Sequence, residues 1–322
     1  MSRKRDITTK NFLSDPVIFC DLYNGALFGG EQILRPDELR QLNGETALLV
    51  PDKQGKKKTE NRYRDLVFEA KIGGRIAVLA CEVQDKIHFS MPVRGMLYDA
   101  LNYSEQVKNH MKKHRALQDL TSGSEFLSGM KMGEKIYPVY TMVFYYGEEA
   151  WNQNLELHQM LDIPDQMQKY GHLLQDYHIN LVHAGNVNPQ NFRTGLREVF
   201  EILRFAGEEE KLRSYLQHHT EKFSNLDEDT YDMVFLFLGE KKLAGKDKEK
   251  FKTEQGGYNM CTALKELEAR GEERGKEMGE KRGMNRLNQL YRILICNDDL
   301  ELMKLAAQND SVLNELFLKY EI

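Results

Sequence analysis

The residues best suited to chemistry are two acids in apolar surroundings. Within RYRDLVFEAKIGGRIAVLACEVQDK (62–86), Asp65 and Glu82 belong to two Val-, Leu-, Ile-, Phe- and Ala-rich runs, 64–72 and 75–83, joined at Gly73-Gly74. A Gly-Gly pair between two such runs predicts a two-residue hairpin. In that register, residues whose numbers sum to 147 face each other, which pairs Asp65 with Glu82. Such partners hold their Cβ atoms about 4.5–5.5 Å apart on one face. Gln84, two positions beyond Glu82, points to that same face. Leu66, Phe68, Ala70, Ala77, Leu79, Cys81 and Val83 collect on the other, as a core surface. Like charges placed opposite one another repel, and one would take up a proton unless a cation lies between them. A divalent ion removes the conflict, and hard oxygen ligands suit Mg²⁺ or Mn²⁺. The spacing leaves a second arrangement open, in which both acids face solvent and one pairs with Arg62, Lys71 or Lys86. A one-residue bulge would also break the pairing.

The elements that must position these residues follow from periodicity. Helical spacing over 16–29 starts near Ser14 or Asp15, and ETALLVP (45–51) predicts a short strand. The segment 52–62 is a polar loop. A long amphipathic helix is expected over 91–115, with Pro92 near its start. KIYPVYTMVFYYG (135–147) and HINLVHA (178–184) predict buried strands. Helical patterns over 192–206, 208–222 and 228–243 then replace all strand signal. The fold class is therefore α/β, a mixed central sheet flanked by helices over about 8–190, followed by an all-helical region. That region divides into a helical extension (191–260) and a final segment (261–322). The final segment places glycine at 271, 275, 279 and 283 in a nearly neutral charged helix, then resumes apolar spacing as a helical cap. The glycine stripe suits either a solvated linker helix or close self-association with a second copy.

Composition narrows the function classes. The chain has 322 residues, 41% hydrophobic, and a net charge of -5, which suits a folded domain without a global basic coat. The opening MSRKRDITTKNFLSDP is charged and lacks an apolar signal region, and no run approaches the ~18 apolar residues of a membrane span. Cys20, Cys81, Cys261 and Cys296 form no CxxC pair. Reduced thiols in a cytoplasm are expected, and a thiolate zinc site is not.

Several further groups bear on binding. The loop before Asp65 carries Lys53, Lys56, Lys57, Lys58, Arg62 and Arg64 against Asp52 and Glu60, a local charge of +4. It can grip DNA phosphates near a cleaved bond or simply be solvated. Arg94 and Tyr98 share a helix face at i, i+4, as phosphate contacts, supports of the active strand, or packing residues. His110 and His114 have the same spacing among basic residues; with no third ligand near in sequence, a solvated basic face is expected rather than a zinc pair. Trp151 reads as a packing residue more than a base-stacking platform. No GxxxxGK[ST], GxSxG or HExxH pattern is present.

Taken together, RYRDLVFEAKIGGRIAVLACEVQDKIHFSMPVRGMLYDALNY resembles the PD-(D/E)XK nuclease superfamily, and more closely its Rpn group of recombination-promoting nucleases, also labelled putative transposases. That group shows an Arg-x-x-Asp-Leu-Val strand, a turn, and an apolar strand ending Glu-x-Gln. A Met-Pro step then enters a helix bearing Arg and Tyr. The corresponding residues are Arg62, Asp65, Glu82, Gln84, Met91-Pro92, Arg94 and Tyr98. NFLSDPVIFCDLYNGALFGGEQILRPDEL and the Gly/Glu/Arg-rich segment near the C-terminus are similar as well, so the resemblance covers nearly the whole chain. It implies a restriction-endonuclease-like core and a Mg²⁺-dependent deoxyribonuclease linked to recombination or DNA mobility. Asp65, Glu82 and the Val83 carbonyl would be the metal ligands. Gln84 stands where the superfamily usually has lysine; it can orient water but carries no charge for the pentavalent phosphate. The superfamily also recruits an acid from its first helix, for which Asp21 is best placed. The alternative is a weak or inactive nuclease scaffold that binds DNA or oligomerises through its C-terminal helices.

Overall fold

Two helices open the chain, α1 (Ser2–Leu13) and α2 (Pro16–Ala26). Asp15 starts the second, accepting the Val17 and Ile18 amides with Pro16 at the first helical position, so the expected start near Ser14 or Asp15 is correct. Helix α1 has no counterpart in the sequence expectation. Next come β1 (Leu39–Gln41), β2 (Glu45–Pro51), β3 (Lys57–Tyr63), β4 (Leu66–Ile72) and β5 (Arg75–Gln84). The computed structural model describes residues 2–51, 57–147, 149–205, 208–238 and 246–322, and of 2–4, 45–51, 57–63, 209, 246–247, 267–268 and 271 the backbone alone. Within the segment expected as a polar loop, Lys57–Tyr63 is a strand, antiparallel to Glu45–Pro51.

Gly73 and Gly74 both take positive φ, 55° and 78°, which is the backbone a two-residue hairpin turn needs. Ile72 therefore faces Arg75, and Leu66 faces Cys81 at the far end of the ladder. The predicted register is the observed one. After β5, helix α3 (Met91–Leu117) crosses to β6 (Val139–Tyr145), with α4 (Gly123–Ser128) in the connection; β7 (Asn180–Val182) follows. Strands β5, β6 and β7 run parallel, whereas β1, β4 and β5 are antiparallel, in the order β1-β4-β5-β6-β7. A parallel β5–β6 pair requires a long crossover, and α3 supplies it.

Strand β5 is buried on both faces from Ala77 to Val83. One face carries Leu66, Phe68, Ala70, Leu79 and Cys81, with the Phe19 ring 4.2 Å from that of Phe68. The other carries Val67, Val78 and Ala80, packed with Leu42 and Val139. Trp151 packs beside Met91, Val143 and Ile179 and meets Tyr145 edge-on at 5.1 Å, in line with its expected role.

The helices α5 (Leu196–Leu203), α6 (Glu209–His218), α7 (Thr220–Phe223) and α8 (Glu228–Phe237) follow. The chain divides into two compact units, 1–259 and 260–322, so the helical extension shares one unit with the sheet. The second unit holds α9 (Met260–Cys296), α10 (Leu300–Gln308) and α11 (Asp310–Lys319). Leu290, Leu294, Ala306 and Leu316 form its core, the expected helical cap. The glycine-bearing stretch is continuous helix, and a Cβ at Gly275, Gly279 or Gly283 would meet nothing within 4 Å. Among the described residues, no helix is long and apolar enough to cross a membrane.

Candidate functional site

Asp65 stands one residue before β4, where the ladder ends. Its Oδ2 accepts the Val83 backbone N–H at 2.8 Å, so the acid continues the hairpin register with its side chain. Glu82 lies next to Val83 on β5 and has no exposed surface. The arrangement with both acids facing solvent is thus excluded for Glu82. One of its oxygens, Oε2, accepts from Arg94 Nη2 at 3.0 Å. The other, Oε1, is buried without a hydrogen-bond partner, a costly condition for a carboxylate. Burial first, then the nearby negative charge of Asp65, pushes the Glu82 carboxyl up to about 7; Arg94, Arg64 and Lys10 pull the other way without cancelling this. Gln84 is half-buried two residues on, and its carbonyl accepts from the Tyr146 amide at 3.0 Å.

A residue that sequence reasoning missed completes the group. Lys10, from α1, places Nζ 2.8 Å from Asp65 Oδ1 and 2.7 Å from Asp6 Oδ2. Burial lowers its pKa, but the bonds to the two acids outweigh this and hold it above its ordinary value. The available signal was the i, i+4 pair Asp6/Lys10, a helix signature that says nothing about the strand it reaches.

Behind the acids lies a second network. Arg64 is buried, with Nη2 2.5 Å from Asp99 Oδ1, and it donates from Nη1 to Thr141 Oγ1 at 3.2 Å. The Thr141 hydroxyl donates to Asp99 Oδ1 at 2.6 Å, and Tyr177 donates to Asp99 Oδ2 at 2.7 Å. Burial and the Asp99 charge raise the Tyr177 pKa, keeping that donor protonated. The buried Tyr98 ring lies 5.3 Å from the Arg64 guanidinium and 5.4 Å from that of Arg94.

Three expectations for DNA contact therefore change. Arg64 is turned inward to Asp99 instead of outward to phosphates, because a buried carboxylate with three polar partners claims it. Tyr98 is an interior support for two arginines. Arg94 is the counter-ion of Glu82. Lys53 and Lys56 lie outside the described residues. Lys57, Lys58 and Arg62 stand on β3 opposite Pro51, Val50 and Thr46, and their side chains also fall outside the description. Asp21 is a structural anchor: it is buried and accepts the Arg193 and Thr194 amides and the Thr194 hydroxyl. The solvated face expected at His110 and His114 is corrected too, since His114 is buried against Glu134.

A hollow of about 710 Å³ lies elsewhere and is lined by Asp15, Asp227, Asp229 and Asp232 with no lysine or arginine. That lining repels a phosphodiester, so the Asp65–Glu82 group is the better candidate. Comparison with protein-family models, with curated proteins and with solved structures finds no match for this chain.

Proposed function

We propose that the chain is a Mg²⁺- or Mn²⁺-dependent endonuclease with a restriction-endonuclease-like core. It would hydrolyse DNA phosphodiester bonds in recombination or DNA mobility, as the Rpn nucleases it resembles do. The observation that carries this reading is the unpartnered Oε1 of Glu82, fully buried beside a second carboxylate. Such an oxygen fits a hard cation, with Asp65, Glu82 and the Val83 carbonyl as the residues that would hold it. When bound, the ion supplies Lewis-acid polarisation of the phosphodiester and activation of water.

The remaining work falls to this chain's own side chains. Lys10 is a charged ammonium beside Asp65 and takes the electrostatic place of the motif lysine that Gln84 lacks. Gln84 orients the attacking water through its amide. Arg94 holds Glu82 in place through the 3.0 Å contact of its Nη2 with Oε2. The test is nicking of supercoiled plasmid with Mg²⁺ or Mn²⁺. Asp65→Ala and Glu82→Ala are each expected to lower the rate by at least about 10²–10³-fold, the scale of losing one preorganised electrostatic element. Full nicking by either variant would overturn the assignment.

One observation favours the alternative of a weak or inactive scaffold that binds DNA or self-associates. Both acids already have cations within the chain, Lys10 and Arg94. The open glycine face of α9 would serve such self-association. A scaffold of this kind would show no rise in melting temperature with Mn²⁺, whereas the nuclease would, through Asp65.

A further inference from the structure

Helix α3 carries a second polar cluster near its other end, about 24 Å along the axis from Arg94 at 1.5 Å per residue. His110 and His114 lie one turn apart, and the segment after α4 brings Glu134 against both. His114 Nε2 is 2.9 Å from Glu134 Oε2 and 3.1 Å from Oε1. His110 Nδ1 is 2.7 Å from Glu134 Oε1, yet it is sealed from solvent and outside hydrogen-bond geometry with that oxygen or any other partner. One ligand atom from each of the three residues lies within 4.8 Å of the others.

We propose that His110, His114 and Glu134 bind one divalent transition-metal ion of the zinc class. Two imidazole nitrogens and a carboxylate suit Zn²⁺, Co²⁺ or Ni²⁺ and disfavour Mg²⁺ and Ca²⁺. Tetrahedral ligands at the usual zinc distances stand roughly 3.3 Å apart, so the His110–Glu134 and His114–Glu134 contacts would lengthen by about half an ångström to admit the ion, and a nitrogen of each ring already lies within 4.8 Å of the other. The fourth position goes to water.

The surroundings are those of a metal-binding histidine. Asp119 Oδ1 lies 2.7 Å from His114 Nδ1. That carboxylate would keep the proton on Nδ1, so that Nε2, once it gives up the proton it shares with Glu134, becomes the ligand atom. Asp119 is itself held by Lys131 Nζ at 2.6 Å, and the Lys131 amide donates to Glu134 Oε2 at 3.2 Å. Both outer and inner carboxylates are therefore oriented from the same short segment.

The ion would have a definite mechanical effect. Asp119 and Glu134 bracket the segment that contains α4, and a metal joining Glu134 to α3 staples the far end of that segment. The segment exposes Phe126 at 67%, Leu127 at 88% and Met132 at 95%, apolar side chains that a closed loop would hold in fixed positions.

The test uses the full chain carrying Asp65→Ala and Glu82→Ala, so that both carboxylates of the first site are absent. After EDTA treatment and dialysis it is titrated with Zn²⁺, and bound metal is counted after gel filtration. The expected result is one zinc per chain, with affinity lowered at least tenfold by His110→Ala and by Glu134→Gln. Zinc should also slow proteolysis within 119–134, and Co²⁺ should give the visible absorption of a four-coordinate site. Glu134→Gln preserves side-chain volume, which keeps the test valid if His110→Ala folds poorly. Absence of retained zinc in the parent, or equal retention in His110→Ala/Glu134→Gln, overturns the proposal. Either result leaves the nuclease reading untouched, because that reading is measured by nicking.

Discussion

At its first turn α3 directs Arg94 to a carboxylate that no solvent reaches; near its last turns it directs two histidines to one that is still partly exposed. Glu82 has 0% exposure and Glu134 17% at the side chain. The difference in solvent decides the chemistry each end can do. At the first, desolvation dominates, drives the Glu82 carboxyl up to about 7 and leaves one oxygen unbonded. At the second, hydrogen bonds from His114 and the Lys131 amide, together with the nearness of His110, more than offset burial, and the Glu134 carboxyl is held below its ordinary value. A carboxylate of the first kind needs a cation to be ionised, while one of the second kind is ionised already and can recruit a metal through neutral imidazoles.

The sharpest way to break this contrast is at Arg64, whose interior pair with Asp99 underpins the first end alone. Arg64→Met leaves Asp99 without its cation in a buried setting, and removing one partner of such a pair costs about 3–5 kcal/mol. Urea unfolding at neutral pH should show a loss of that size, with part recovered in Arg64→Met/Asp99→Leu. A loss below about 1 kcal/mol would mean that Thr141 and Tyr177 suffice to hold Asp99.

How far the molecule could be read from its sequence follows the same division. The hairpin was legible because its information is local: two glycines set the turn, the turn sets the register, and the register brings Asp65 to Val83 and Glu82. Lys10, Glu134 and the partners of Arg64 were not, since tertiary contact alone joins residues 20 to 77 positions apart. Arg64 belongs by composition to a basic loop, yet Asp99 and Thr141 draw it inward. The strand KKTENRY was missed for a related reason: it offers no apolar alternation, and its conformation comes from pairing with Glu45–Pro51. Asp21, plausible as an extra site acid from its helix position, is held by backbone amides some 170 residues away.

A second prediction turns on the proton that burial forces onto Glu82. Its pKa is raised from 4.5 in the unfolded chain to about 7 in the folded one. Between those values the folded state binds more protons than the unfolded state, so stability falls as pH rises through the window. Glu82→Gln removes this dependence. In EDTA the variant should match the parent near pH 4 and exceed it above pH 7 by on the order of 3 kcal/mol, the linkage equivalent of the shift. Adding Mn²⁺ should reverse the ranking, because only the parent retains the anionic oxygen. Parallel curves across the whole pH range would show that Glu82 does not carry the buried charge.

The smallest effect concerns Lys10, and it decides whether the missing motif lysine has been replaced. If Lys10 is only a counter-ion of Asp65, Lys10→Met frees that carboxylate for metal and nicking holds steady or rises. If its ammonium stabilises charge developing on the phosphate, the same change lowers the nicking rate about 10-fold, the yield of one partly exposed electrostatic contact, while the Mn²⁺-induced rise in melting temperature persists. Lys10→Met/Gln84→Lys separates these outcomes further. Residue 84 shares a face with Glu82, so a lysine there delivers an ammonium to the same carboxylates from the strand instead of from α1. Recovery of the rate in the double variant would show that the site needs a cation at that point and is indifferent to which element provides it. Failure to recover would mean that the helix fixes the ammonium where a strand residue cannot reach.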